Sequence, residues 1–238
     1  MTRRRFIADE VSGDRAALTG EHAAHLARVL RARVGQQFDI AADGVVRLGT
    51  VTSVADDRVE FALGEAVEAS PAPEVCLLLA VFKFDRFEWA VEKCTELGVA
   101  RIVPVIARRT ESHLATAAAK RAERWRRIAR EAAQQSRRTT VPAIDEPMRQ
   151  KQALALDFPL RLLLNENEQS LTLRDALGCA EAAPSPLAVA VGPEGGWTEE
   201  EIAAFAGAGW KSVSIGETIL RAETAAIAAL AALNTLLD

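Results

Sequence analysis

The pattern of apolar positions changes character near residue 70. Beyond it, apolar runs of strand length at 75–82, 102–106, 160–164, 187–191 and 213–215 alternate with stretches of helical periodicity. Phe87, Val91, Cys94 and Leu97 recur at helical spacing, and Gly98 supplies a left-handed stop. Ala118, Ala122, Trp125, Ala129 and Ala132 repeat that spacing and leave the arginines of their helix on the opposite, solvated side. Such alternation predicts an α/β domain with a parallel sheet covered by helices. Thr198 followed by Glu201 is a capping-box pattern that opens a further helix. The nearly all-apolar stretch 225–237 predicts a helix placed in the core or in a subunit contact.

Before residue 70 the apolar runs are short and of β type, at 37–41, 45–54 and 58–63, with turn signals at Asp43-Gly44 and Asp56-Asp57. One helix is expected, from about Glu21 to Arg33. This half reads as a small β-barrel with a helix. Glu68-Ala69-Ser70-Pro71-Ala72-Pro73 has the composition of a linker, so the boundary falls there, between domains 1–70 and 71–238.

Composition narrows the class. Of 238 residues 49% are hydrophobic and 26% charged, a globular balance, and no apolar run approaches the ~20 residues of a membrane span. Arg3, Arg4 and Arg5 are followed by neither an apolar core segment nor a small-residue cleavage site, so no signal peptide is expected and the cytosol is the expected location. Cys76, Cys94 and Cys179 are widely separated and form no C-x-x-C pair, which predicts buried apolar thiols rather than disulfides or a zinc site. His22 and His25 share a helix face without further ligands nearby, and no metal is expected. The net charge is −4, but the cations are clustered. Arg3, Arg4, Arg5, Arg28, Arg31 and Arg33 crowd the first domain; Lys120, Arg121, Arg124, Arg126, Arg127, Arg130, Arg137 and Arg138 crowd one later segment. Two basic clusters in separate modules are what phosphate contacts require, although either can be a solvated face.

Three strand ends carry the candidate chemistry. A buried-type strand runs into Gly192-Pro193-Glu194-Gly195-Gly196-Trp197, whose glycines let backbone amides approach a ligand in the crevice where open α/β sheets bind. The spacing matches neither G-x-G-x-x-G nor G-x-x-x-x-G-K-[ST], which excludes the usual dinucleotide site and the P-loop. Ile215-Gly216-Glu217-Thr218-Ile219-Leu220-Arg221-Ala222-Glu223-Thr224-Ala225 is a second strand, loop and helix; Arg221 and Glu223 read by themselves as an ion pair or cap. Leu163-Leu164-Asn165-Glu166 brings a third loop to the same edge.

The first two segments together resemble the paired signatures of the SPOUT-class family that methylates N3 of a uridine in the decoding region of bacterial small-subunit (16S) rRNA. The resemblance spans the chain, through Arg4-Arg5-Phe6, His25 with Val29-Leu30-Arg31, Lys83, Thr95-Glu96-Leu97-Gly98, Glu131-Ala132 with Gln135-Ser136 and Arg138, and Pro142. The chain departs from the family pattern at Trp197, where a smaller apolar residue or phenylalanine is common, at Ala222 in place of a frequent threonine, and at Gln134 in place of a frequent glutamate.

The resemblance implies a PUA-like N-terminal β-barrel, a C-terminal domain with a deep trefoil knot, and a homodimer. It also implies S-adenosyl-L-methionine as cofactor, held by backbone groups of Leu164, Asn165 and Glu166, of Gly192, Pro193, Glu194, Gly195 and Gly196, and of Ile215, Gly216, Ile219 and Leu220, with Thr224 and Ala225 beside them. Methylation at N3 requires removal of a proton and stabilisation of the resulting anion; Arg221 is the candidate stabiliser, and Glu194 or Glu223 the candidate base. Candidate RNA contacts are Arg3, Arg4, Arg5, His25, Arg28, Arg31, Lys83, Arg124, Arg127, Arg137 and Arg138. The alternatives are an enzyme of the same class acting on another rRNA or tRNA nucleotide, a non-catalytic ribosome-assembly protein, and a nucleotide-dependent oxidoreductase.

Overall fold

The computed structural model describes residues 4–42, 44–67, 74–178 and 185–237. Arg3, Asp43, the linker 68–73 and Cys179 lie outside the described residues. The chain divides into two compact units, one made of residues 1–71 with 133–141, the other of 72–132 with 142–238.

In the first unit, β1 (Arg5–Ile7), β2 (Glu10–Ser12), β3 (Arg15–Thr19), β4 (Gln37–Ala42), β5 (Val45–Val54) and β6 (Arg58–Val67) form a six-stranded sheet in the order β1-β4-β5-β6-β3-β2. The β1/β4 pair is parallel and the other pairs antiparallel. Alternation along β4 and β6 sends Phe38, Ile40, Val59, Phe61 and Leu63 inward, where they meet Leu18 and Leu26. Phe38 makes edge contacts with Phe6 and Phe61 at centroid distances of 5.6 and 6.3 Å. The helix expected over 21–33 is shorter. α1 (Gly20–Ala24) passes into a π-helical turn, His25–Val29, with Leu30 N donating to His25 O at 3.1 Å. Arg31 then turns left-handed (φ 50°) and stops it. β1 to β3 were not expected from the sequence, because their runs of three to five residues are too short to show a period.

The second unit contains β7 (Val75–Ala80), α2 (Phe84–Glu96), β8 (Arg101–Ile106), most of α3 (Ser112–Gln135), β9 (Ala143–Ile144), β10 (Met148–Arg149), α4 (Gln150–Ala153), β11 (Leu160–Leu164), α5 (Leu173–Leu177), β12 (Leu187–Val191), α6 (Glu199–Gly207), β13 (Lys211–Val213) and α7 (Ala222–Leu237). Its seven strands are all parallel, in the order β10-β8-β7-β12-β11-β13 with β9 beside β8. Every residue of β7 and β12 is buried, as central strands covered on both faces require. The last strand lies two residues earlier than the expected 213–215, because after Val213, paired with Leu164, the chain leaves the sheet; Ser214 keeps only an isolated bridge to Thr172. The apolar C-terminal helix begins at Ala222, three residues before the expected start.

The helices pack through aromatic side chains. Trp125 of α3 is fully buried, 4.5 Å from the Phe87 ring and 6.1 Å from that of Phe84. On another part of the sheet, Trp197, Phe205 and Trp210 stack edge to face. Cys76 and Cys94 are free, buried thiols, and burial pushes the Cys76 thiol up to about 12. Removing the indole in Trp125→Ala should lower the unfolding free energy by about 3–5 kcal/mol, read by chemical denaturation.

Candidate functional site

Parallel pairing of β12, β11 and β13 brings Val191, Leu164 and Val213 to one edge of the sheet, and the loops that leave them enclose a cleft. It holds about 710 Å³ of empty space including its open mouth. Of the expected ligand-holding residues, Leu164, Asn165, Glu166, Gly192, Pro193, Glu194, Gly196, Ile215, Gly216, Ile219, Leu220 and Ala225 line it. Gly195 and Thr224 do not line it; Gly195 O instead accepts a hydrogen bond from Arg109 Nη1. Val191, Val213, Ser214, Glu217, Thr218 and Ala222 also line it. Sequence reasoning did not single these out, though most lie inside the segments it named.

Each wall is pinned by backbone and side-chain hydrogen bonds of its own. Asn165 N donates to Val213 O at 3.1 Å and Asn165 Nδ2 to Ser212 Oγ at 3.0 Å. In the loop after β12, Gly196 N donates to Pro193 O at 2.8 Å, closing a tight turn that needs Gly196 at φ +71°. A Cβ on Gly196 would also meet the flexible end of the Glu166 side chain. The loop ends at a capping box: Thr198 Oγ1 accepts from Glu201 N at 3.3 Å, and Glu201 Oε2 accepts from Thr198 N at 2.9 Å. Glu201 is buried, and its other oxygen accepts from Arg108 N at 2.8 Å, which ties the loop to the end of β8. The loop after β13 is held by Ser214 Oγ, which accepts from Gly216 N at 3.2 Å.

The candidate catalytic groups are distributed unevenly. Glu194 lines the cleft; Glu223 is buried at the start of α7; Arg221 is exposed and outside the lining. Arg86, in the first turn of α2, brings the two carboxylates together: its Nη1 donates to Glu194 Oε1 at 2.7 Å, and its Nε lies 3.8 Å from Glu223 Oε1. Arg86 escaped the sequence reading. Its only local signal was a cation three residues after Lys83, which says nothing of carboxylates 108 and 137 positions away.

The expected RNA contacts occupy varied settings. Arg4, His25, Arg31, Lys83 and Arg137 are exposed, and Arg137, like Arg31, is left-handed (φ 59°). Arg5 Nη1 donates to Arg137 O at 2.8 Å. Arg28 pairs with Asp56 at 2.9 Å, Arg124 with Glu88 at 2.8 Å and Arg127 with Glu131 at 4.0 Å. Arg138 is half-buried, and burial pulls its guanidinium down to about 10. His22 lies 3.7 Å from Asp9. Among the described residues no group of three or more His, Cys, Asp or Glu is arranged to hold a metal ion, and no helix is long and apolar enough to cross a membrane.

A glycine-walled cleft at the carboxyl edge of a parallel sheet is where open α/β proteins bind ligands, and comparison with known proteins defines the class. A family model described as an RNA methyltransferase domain matches residues 68–234. The ribosomal RNA small subunit methyltransferase E of Synechocystis is 34% identical over 226 residues, 93% of this chain and 73% of that protein. The Bacillus subtilis protein of the same name is 31% identical over 227 residues, covering 92% and 89%. Among solved structures, the Neisseria gonorrhoeae ribosomal RNA small subunit methyltransferase E bound to S-adenosyl methionine matches with a TM-score of 0.84 and 30% identity, over 98% of both chains. A putative methyltransferase from Legionella pneumophila in complex with the same cofactor matches at 0.82 and 29%, over 99% and 98%. The chain belongs to the RNA methyltransferase family.

The two adjacent glycines of the loop after β12 should differ sharply. Gly196→Ala should cost about 1–2 kcal/mol of stability from its left-handed backbone. Gly195→Ala, whose Cβ would meet only the flexible Arg109 side chain, should stay within about 0.5 kcal/mol; parallel urea melts measure both.

Proposed function

We propose that this chain is an S-adenosylmethionine-dependent methyltransferase of the SPOUT class that methylates N3 of a uridine in the decoding region of 16S rRNA. The observation that carries the reading is the cleft at the ends of β11, β12 and β13, in a chain whose relatives at about 30% identity over nearly their whole length bind that cofactor. The residues present suit it. The lining contains Glu166, Glu194 and Glu217 and no Lys, Arg or His; with Glu194 already paired to Arg86, Glu166 and Glu217 leave the lining negative, which suits a ligand with a sulfonium and an ammonium group.

When bound, the cofactor supplies an electrophilic methyl group; the chain's own residues must do the rest. The backbone of the three loops orients the ligand, while the buried strand ends Leu164, Val191 and Val213 close the floor to water. Glu194 faces the cleft and can take the N3 proton; Glu223 is buried behind the wall and suits charge balance rather than direct proton transfer. Arg221 stands at the edge of the same loop, exposed, where an incoming uracil ring can meet it and its developing anion be stabilised. The basic residues of both units, Arg4, Arg31, Lys83 and Arg137 foremost because they are exposed, would hold phosphates without reading sequence. The trefoil knot, the PUA-like character of the first unit and a cytoplasmic homodimer belong to the same proposal. α7 supports the dimer, since Glu223 is its only charged residue from Ala222 to Leu237.

Incubation with labelled S-adenosylmethionine and small ribosomal subunits from a strain lacking the modification should place label in N3-methyluridine at one decoding-region site. Label in another nucleoside or in tRNA would retain the class and change the target; no label on any RNA would sink the enzymatic reading. In the same assay Arg221→Ala should lower turnover about 100-fold. Full transfer by both Glu194→Gln and Glu223→Gln would remove carboxylate catalysis.

A further inference from the structure

Behind the cleft, one guanidinium serves two carboxylates from different walls. Arg86 Nη1 is hydrogen-bonded to Glu194 at 2.7 Å, and Nε faces Glu223 at 3.8 Å. Glu194 stands between Pro193 and Gly196 of the loop after β12; Glu223 stands between Ala222 and Ala225 of α7, and these four neighbours line the cleft. Glu223 is 4% exposed, and its Oε2 accepts no hydrogen bond from any described residue. A carboxylate this buried is costly unless a cation stays beside it. The cost therefore draws Arg86 towards α7, while the hydrogen bond draws Glu194 towards Arg86.

We propose that Arg86 is a positioning residue which, by engaging Glu194 and Glu223 together, sets the spacing between the β12 loop and the first turn of α7. The inference rests on the reading of this cleft as the cofactor site. A ligand recognised through backbone groups needs those groups held to within about 0.5 Å, and at the exposed Glu194 and Gly195 the loop is held only by Arg86 on the Glu194 carboxylate and by Arg109 on Gly195 O among the hydrogen bonds of the described residues. The clamp provides that restraint from outside the cleft. It requires an arginine: a planar fork presents separate N–H groups to two acceptors, whereas a lysine offers one point charge on a flexible stem.

Arg86→Ala alone would leave Glu223 buried without its cation and can unfold the unit, so the informative variant is Arg86→Ala with Glu223→Gln, which removes both charges; Arg86→Lys is its companion. Hydrogen exchange in ligand-free protein and calorimetric titration with S-adenosylmethionine give separate readouts. In the double variant, amides of 192–197 and 222–226 should exchange about tenfold faster, with β7 and β8 unchanged, and cofactor affinity should fall about tenfold. Arg86→Lys should lie between it and the native protein. Unchanged exchange in both segments would overturn the clamp whatever the cofactor does. A uniform rise that includes β7 and β8 would also overturn it, making Arg86 a stability residue only. Native affinity in the double variant would likewise reduce Arg86 to charge compensation. If the native protein itself failed to bind S-adenosylmethionine, the cofactor reading would fall, and the ligand-free exchange would still decide the clamp.

Discussion

Parallel pairing of β12 between β7 and β11 is the constraint on which the rest of this molecule depends. A strand buried on both faces has no solvent for its amides, so its hydrogen bonds must be met by two neighbours along its length. Parallel pairing then fixes polarity: Leu164, Val191 and Val213 end at the same edge, and the loops that follow must start there. The cleft is thus a consequence of strand direction before any side chain is considered. What the loop sequences add is close approach, through Gly196 in its left-handed turn, and anchorage, through the buried Glu201 that accepts from Thr198 and from Arg108.

Much of this was legible in the sequence. Apolar runs at 160–164 and 187–191 coincide with β11 and β12: β12, buried on both faces, leaves an unbroken apolar signature, and β11 keeps the same signature apart from the half-buried Arg161. The three loops were legible as segments that follow such runs, glycine-rich after β12, with a single Gly216 after β13 and no glycine at 165–172, and most residues named in them line the cleft. What was not legible is what depends on distant pairing. Arg86 meets Glu194 and Glu223 only because α2 packs beside α7, and one-dimensional spacing carries no trace of that. The early end of β13 is of the same kind: Ser214 and Ile215 look like strand residues, but past Leu164 the neighbouring chain offers no further partner. The helix stop at Arg31 was hidden because arginine sits in the left-handed position that glycine usually signals.

Charge patterning shows the opposite limitation, a signal that is plain in sequence and altered by the fold. The arginines of α3 read as a basic stripe, yet Arg121 and Arg124 both face Glu88, and Arg126 faces Glu123 and Glu146. These pairs partly cancel the field of the helix. They do not remove its capacity to bind an anion, because exposed pairs of this kind are worth only ~0–1 kcal/mol and a phosphate can replace a carboxylate at little cost. Arg138 differs, since burial already lowers its affinity for its proton and places its guanidinium away from bulk solvent. A phosphate-binding face, on the proposed reading, is accordingly drawn from the exposed arginines and Lys83 rather than from the whole basic census.

Two of the three departures from the family pattern, Trp197 and Ala222, are explicable by where they fall, and nothing in the structure explains Gln134. Trp197 is 4% exposed and packs on Phe205 at a centroid distance of 4.9 Å, so the larger side chain fills the space behind the β12 loop instead of entering the cleft. Its bulk leaves little room beside it: a Cβ at Gly192 would lie 3.1 Å from the indole Nε1, so any larger residue there must displace the ring by a few tenths of an ångström, although the backbone of Gly192 is not left-handed. Ala222 lines the cleft and contributes a methyl group where a hydroxyl is frequent, so it offers a ligand no side-chain hydrogen bond. Neither residue changes the frame of the cleft, because strand polarity, set by β12 and its two neighbours, already holds the three loops at one edge.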